Sequence, residues 1–247
     1  MMKYLFACDL DNTLIHSYKH RTSDDICIEH YNGKEQSFIS SRAAELLRKV
    51  AKELLFIPIT TRSIEQYNRI EWLEDTKPKF AVASNGANLI YDDAVDENWQ
   101  QNNHKYIQPY EDELKQKQDT LLKYFSICRI VDGSFLFLKC DDEMNVEECA
   151  CDLKTKTNLI VQHFGRKIYL FPPKLNKGEA LKMLIQKFSP QQVFCAGDST
   201  IDLPMLNIAD VAYVPIDLRE ALLHKHCVIF DSAEYILKDI LTKLSVE

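Results

Sequence analysis

The 247-residue sequence has no surplus of positive charge: 37 Asp and Glu stand against 30 Lys and Arg, for a formal net charge of -7. A broad basic surface for nucleic acid or an anionic membrane is therefore not expected, and an anionic ligand would have to be met by local cations or a metal. No apolar run approaches the length of a membrane span, and the first residues enter an apolar run without the charged and apolar regions of a secretion signal. A cytoplasmic protein with no membrane partner is expected. The eight cysteines include no C-x-x-C pair, and Cys149-Ala150-Cys151 has the wrong spacing for a zinc or redox motif. They read as reduced, mostly buried thiols. Low-complexity tracts and sequence repeats are also missing. What is present is apolar content, 46% of the chain, enough for a real core in one large domain or a domain carrying a smaller insert.

Tyr4-Leu5-Phe6-Ala7-Cys8 reads as a short buried strand, and it delivers Asp9-Leu10-Asp11-Asn12-Thr13-Leu14 to a sheet rim. Two carboxylates one residue apart invite a hard cation, for which Mg2+ is suited, although an isolated D-x-D also describes a solvated turn. Asn32-Gly33 between Ile26–Ile28 and Ser37–Ile39 predicts a flap-like hairpin. A helix from about Arg42 to Glu53, capped by Ser40 or Ser41, carries Ala44, Leu47, Val50 and Ala51 on its apolar stripe. The strand Leu54–Ile59 then ends at Thr60-Thr61-Arg62, with Pro58 weakening its regularity. A helix from Ser63 to about Leu73 and a strand Lys79–Ala83 follow, the latter ending in Ser84-Asn85-Gly86-Ala87. Alternating strands and helices of this kind predict a parallel sheet with functional residues at its carboxyl ends.

From Asn88 the pattern changes. A polar loop to about Gln108 is expected, then helix-strand-strand twice over: helices near 109–124 and 145–156, and hairpins turning at Asp132-Gly133 and Gly165. After Pro172-Pro173 the first pattern resumes, with a helix Lys177–Phe188, a strand Gln192–Ala196 ending at Gly197-Asp198-Ser199-Thr200-Ile201-Asp202, a short helix, a strand Val211–Val214, a helix Leu218–Lys225, a strand Val228–Phe230 and a final helix from Ser232. The expected division is 1–86 and 172–247 for the main domain and 87–171 for an inserted unit.

Four clusters fall at predicted strand or helix ends: Asp9 with Asp11, Thr60, Lys177, and Asp198 with Asp202. Each alone has an ordinary explanation as a cap, a turn or a solvated first-turn lysine. Together, two acidic pairs can hold one Mg2+ while a hydroxyl and an ammonium neutralise a phosphoryl group, and phosphoryl transfer needs little else from a protein.

In these four motifs the chain resembles the haloacid dehalogenase-like hydrolase superfamily over nearly its whole length, with an insert placed like the type-2 (C2B) cap of the sucrose-phosphatase, phosphomannomutase and Cof-type branch. The resemblance implies an α/β fold: a three-layer Rossmann-like core with a parallel sheet and an inserted α+β cap. It further implies a Mg2+-dependent phosphatase of a small phosphorylated metabolite, a sugar phosphate first among them, working as a monomer or weak homo-oligomer. Asp9 would attack phosphorus to give an aspartyl-phosphate, Asp11 would act as acid and base, and Thr60 and Lys177 would hold phosphoryl oxygens. Asp9, Asp11, Asp198 and Asp202 would form the metal centre. A phosphomutase shares this chemistry, and a non-catalytic phosphate-responsive module such as a receiver domain uses similar residues in about half the length. Asn12 replaces the commoner glycine, and Ile201 stands where Asn is usual. Thr61, Arg62, Asn85 and Gly86 are candidate substrate contacts, as are Arg129, Lys139, Gln162 and Lys167, which strand alternation places on the open face of the insert's sheet.

Overall fold

In the computed structural model, which describes residues 3–223 and 227–245, the first apolar run forms strand β1 (Tyr4–Cys8). Next come β2 (His16–Ser17), β3 (Asp25–Tyr31) and β4 (Lys34–Ser40), a small antiparallel sheet in the order β2-β4-β3. Its hairpin turns at Asn32 and Gly33, both at positive φ, as the Asn-Gly pair predicts. Helix α1 (Ser41–Glu53) is capped by Ser40, whose side chain accepts from Ala43 N, and leads to β5 (Leu55–Pro58). After α2 (Ile64–Asn68) the chain forms β6 (Phe80–Ala83), β7 (Asn88–Tyr91) and β8 (Ala94–Val95), then α3 (Glu97–Ile107). The inserted sheet and its helices follow as α4 (Glu111–Leu121), β9 (Ile127–Val131), β10 (Phe135–Lys139), α5 (Val146–Lys154), β11 (Ile160–Phe164) and β12 (Lys167–Phe171). The chain ends with α6 (Lys177–Phe188), β13 (Gln192–Ala196), α7 (Leu203–Leu206), β14 (Val211–Val214), β15 (Cys227–Ile229) and α8 (Ala233–Ser245).

The central sheet is fully parallel, in the order β15-β14-β13-β1-β5. Strand β1 reads as a continuous apolar run because both faces are covered: Phe6 and Cys8 pack with α1 and α8, while Leu5 and Ala7 pack with α6 and α7. Pro58 is tolerated because β5 is the last strand of this sheet, and the chain pairs with the β6 region just beyond Pro58, through the isolated parallel bridge from Ile59 to Val82. The chain extends from β1 to either side, to β13 and to β5, so the crevice at its carboxyl end is the topological switch point where ligands bind in such sheets.

Three expectations of secondary structure need correction. Helix α2 spans five residues rather than reaching Leu73, because Ile70 bridges to Glu29 and Glu71 N donates to Ile28 O, pulling the chain into an edge contact with β3. The expected polar loop at 88–108 is instead β7, β8 and α3: Asp92 and Asp93 both take positive φ and close a tight hairpin, and Asp96 caps α3. The expected inserted unit, 87–171, contains this segment, yet Leu89 and Trp99 pack in the main core with α6, and Trp99 Nε1 donates to Gly86 O. Finally, the helix expected at Leu218–Lys225 is a 3-10 turn over Ile216–Ala221; Lys225 lies outside the described residues.

The inserted sheet has the order β11-β12-β10-β9, antiparallel throughout. Leu136, Leu138, Ile168, Leu170, Val161 and Cys128 face α4 and α5 and form a separate core. The register places Gln162, Tyr169, Phe137 and Arg129 in one row of the opposite face, and Phe164, Lys167, Lys139 and Ile127 in the next. The alternation argument thus puts all four polar candidates on one face.

Candidate active site

Asp9 leaves the end of β1 with its N–H on Ala196 O of the neighbouring β13, so the sheet itself fixes the start of the acidic turn. Asn12 adopts φ 61, the left-handed conformation for which Asn is a tolerated alternative to glycine. From α6, Lys177 enters the same space. Asn176 caps that helix through Glu179 N, and Gly178 lets it approach α7 so closely that a Cβ there would lie 2.4 Å from Pro204 O. Lys177 Nζ lies 2.5 Å from Asp9 Oδ1 and 2.5 Å from Asp202 Oδ1, with all three residues buried. Burial favours the neutral amine, but Asp202 and Asp9 outweigh it and hold the lysine pKa above its ordinary value.

The remaining oxygen of Asp202 accepts from Asp198 N, Ser199 N and Ser199 Oγ at 3.2, 3.0 and 2.9 Å. Both its oxygens are therefore engaged, and Gly197 supplies the room: a Cβ at that position would lie 2.5 Å from Asp202 Cβ. Asp9 and Asp198 are less well compensated. Burial, opposed by Lys177 and reinforced by Asp202 and Asp198, pushes the Asp9 carboxyl well up. Burial and then Asp202 push Asp198 up to about 7, opposed by Lys177 and by a hydrogen bond from Asn12. Oxygens of Asp9, Asp198 and Asp202 lie within 4.8 Å of one another. Buried carboxylates with raised pKa values and a hard-oxygen donor set fit a Mg2+ ion, whose charge would favour their ionised forms.

Asp11 lies in a different setting. Arg62 grips it with two hydrogen bonds, Nε to Oδ2 at 2.9 Å and a terminal nitrogen to Oδ1 at 2.7 Å. Partial burial pushes the Asp11 carboxyl up, but Arg62 more than offsets this and leaves it below the usual range. Arg62 is held in turn by Glu29 at 2.8 Å and by Ser37 Oγ at 2.9 Å, and Glu29 also accepts from Arg69 at 3.1 Å. Sequence reasoning did not single out Glu29 or Arg69. The available signal was a carboxylate directly after the apolar run Ile26–Ile28, in a strand expected to be covered on one face.

Two adjoining cavities share Asp11, Thr61, Lys167 and Tyr169. The smaller, about 40 Å³, also contains Asp9, Lys177, Asp198 and Ile201. The larger, about 250 Å³, lies between the β3–β4 hairpin and the inserted sheet, with Arg129, Phe137 and Tyr31 among its walls. Of the open-face candidates, Arg129 and Lys167 reach these cavities, while Lys139 and Gln162 share the face but line neither. Thr60 is fully buried behind Thr61 and its Oγ1 accepts from Arg62 N. Asn85 and Gly86 are buried and line neither cavity; Asn85 Nδ2 donates to Leu175 O, and Gly86, at φ 115, lies so close to α6 that a Cβ there would be 3.1 Å from Asn176 O. Both therefore brace the approach to α6. Ile201 packs with Val131, Phe135, Tyr169 and Phe171, so the departure at that position supplies an apolar contact between the acidic loop and the inserted sheet. Asp132, at the β9–β10 turn, accepts from Ile64 N at 2.8 Å and from Ser84 Oγ, tying that hairpin to the core.

The family model described as haloacid dehalogenase-like hydrolase matches residues 65–214. No curated protein matches the chain. Among solved structures, the sucrose-phosphatase of Synechocystis in complex with sucrose and phosphate is similar over 98% of both chains, at 16% identity and a TM-score of 0.69. The C-terminal domain of trehalose-6-phosphate phosphatase from C. albicans is similar over 100% of this chain and 94% of its own, at 14% identity and a TM-score of 0.64. A Thermoplasma acidophilum protein is similar over the whole of both chains, at 15% identity and a TM-score of 0.61. At these identities the likeness is one of fold. The family match covers more than half of the sequence, and the chain belongs to the haloacid dehalogenase-like hydrolases. No helix among the described residues is long and apolar enough to cross a membrane.

Proposed function

We propose that the chain is a Mg2+-dependent phosphatase of a small phosphorylated metabolite, with a sugar phosphate the leading class. The observation that carries this reading is the buried Asp9–Lys177–Asp202 row with Asp198 beside it, at the carboxyl end of β1. Asp9, Asp198 and the Asp11 backbone carbonyl would hold the ion, with Asp202 occupied in holding Lys177 and the Asp198–Ser199 backbone. The ion would supply positive charge where the phosphoryl oxygens develop negative charge.

In the first step the Asp9 carboxylate attacks phosphorus, and the bond to the leaving oxygen breaks as that oxygen takes a proton from Asp11. In the second, Asp11 removes a proton from water, which attacks the aspartyl-phosphate and frees Asp9 and inorganic phosphate. Lys177 and the hydroxyl of Thr61 would hold phosphoryl oxygens, with Thr60 buried behind Thr61 and supporting that turn through its bond from Arg62 N. The Arg62 grip keeps Asp11 ionised, which suits the second step; donation in the first requires that grip to loosen as substrate enters. The inserted sheet with α4 and α5 would serve as the cap, placing the leaving group in the larger cavity and excluding water.

A panel of phosphorylated metabolites and a generic aryl phosphate, assayed for phosphate release with Mg2+ or with chelator, tests the proposal. Turnover that requires the metal is expected. Isomer formation without net phosphate release would instead establish a mutase, and no turnover of any ester would overturn the reading.

A further inference from the structure

We propose a second metal site, independent of the acidic centre: Cys27, His30 and Glu35 on the β3–β4 hairpin form a three-ligand site for a borderline-soft divalent cation of the Zn2+ type. Their ligand atoms all lie within 4.8 Å of one another. Cys27 Sγ and His30 Nε2 are 3.7 Å apart. Zinc bonds of about 2.3 Å to sulfur and 2.0 to 2.1 Å to nitrogen, at a tetrahedral angle, call for roughly 3.6 Å between those atoms.

The backbone has to depart from regular strand geometry to achieve this. Residues three apart in a strand point to opposite faces. Here the β3–β4 register shifts twice, between Cys27 and Glu29 and between Glu29 and His30, and the irregularity brings Cys27 and His30 to one side. His30 is paired directly with Glu35 across the hairpin, which supplies the third ligand from the other strand.

The imidazole is also oriented. Its Nδ1 lies 3.0 Å from Glu71 Oε1, leaving Nε2 directed at the thiol. A carboxylate behind a ligating histidine is the arrangement that fixes the ring's tautomer and raises its basicity at zinc centres. Glu71 is itself placed by the bond from its N–H to Ile28 O. Arg21 occupies one Glu35 oxygen and leaves the other for a ligand bond. Cys27 Sγ contacts Glu29 O at 3.4 Å, a weak bond that binding as thiolate would replace.

A thiolate, an imidazole and one carboxylate select Zn2+ over Mg2+, whereas the oxygen-only centre at Asp9 and Asp198 selects the reverse. Three protein ligands leave one position for water. An ion here joins β3 to β4, the strands that carry Glu29, Tyr31, Gln36 and Ser37 to the wall of the 250 Å³ cavity, so its occupancy would stiffen that wall.

The test is Co2+ titration of the chelator-stripped full chain in excess Mg2+, following the thiolate-to-cobalt charge-transfer band, with Zn2+ added afterwards as competitor. One equivalent should generate the band and Zn2+ should abolish it. Cys27→Ser should remove the band, while His30→Ala and Glu71→Gln should weaken Co2+ binding about 10- to 100-fold. A wild-type chain without the band, or a band that persists in Cys27→Ser, overturns the proposal. Should Cys27→Ser fail to fold, the two variants at exposed side chains decide alone, and unchanged affinity in both overturns it.

Discussion

Replacing Asp198 by Asn should stabilise the metal-free protein at neutral pH while weakening the stabilisation that Mg2+ confers. In the fold, burial and the neighbouring Asp202 push the Asp198 carboxyl up to about 7, from an ordinary 3.8. A carboxyl that binds its proton more tightly when folded contributes stability that is fully present below about pH 4 and is lost as pH rises towards 7. At about 1.4 kcal/mol per pH unit, the loss above pH 7 is at most about 4 kcal/mol. Asn carries no charge at any pH and escapes it. In chelator, the wild type and Asp198→Asn should therefore melt together near pH 4, and at pH 8 the variant should melt up to roughly 10 °C higher. Mg2+ should narrow that gap and, at about a thousandfold excess over its Kd, close it, because a ligand bound only to the folded state adds about 2.7 kcal/mol at a hundredfold excess and about 4.1 at a thousandfold, and the variant has lost a ligand oxygen. Thermal melts at both pH values, with chelator and with Mg2+, supply all four comparisons. A variant that melts at or below the wild type at pH 8 in chelator would refute the reasoning, since Asp198 would then be stabilising without any cation.

Gly178→Ala places a Cβ 2.4 Å from Pro204 O, and backbone must move on both sides; unfolding in urea should show a loss of about 1–3 kcal/mol, with a drop in kcat as Lys177 shifts. Arg62→Gln removes the guanidinium that holds Asp11 below the usual range, so the alkaline limb of the pH profile for kcat/KM, set by the proton Asp11 donates in the first step, should move to higher pH; an unmoved limb would separate Arg62 from Asp11 function. Arg129→Ala should lower kcat/KM about 10- to 100-fold for the physiological ester and spare a small aryl phosphate. Lys139→Ala, on the same sheet face but outside both cavities, should change neither.

The parts of this molecule legible in the sequence are those in which local signals and tertiary packing agree. Strand β1 is a bounded apolar run because both its faces are covered, and Asn32-Gly33 and Asp132-Gly133 turn where positive φ is required. The helix at 97–107 was missed because it buries only Trp99, Asn103 and Ile107, too few to mark an apolar face, and the hairpin before it turns on Asp92-Asp93 rather than on a glycine. Ser63 to Leu73 carries enough apolar residues for a longer helix; the competing Ile70 bridge to Glu29, 41 positions earlier, ends it. At the site, Asp9, Lys177, Asp198 and Asp202 were visible as motifs and do converge. The Arg62–Asp11 grip was not, because it joins residues 51 apart through side-chain geometry alone. Lys139 shows the limit of alternation: it assigns a face of the sheet but not a position over the cavity.

The proposed reaction rests on Asp9 as the nucleophile, and phosphate release by Asp9→Asn in saturating Mg2+, alongside thermal melts that establish its folding, measures that role directly. A folded variant with turnover reduced by about 10³-fold or more is the predicted result, because loss of a covalent nucleophile removes the first step outright. A folded Asp9→Asn that keeps more than about one percent of wild-type turnover would contradict the account.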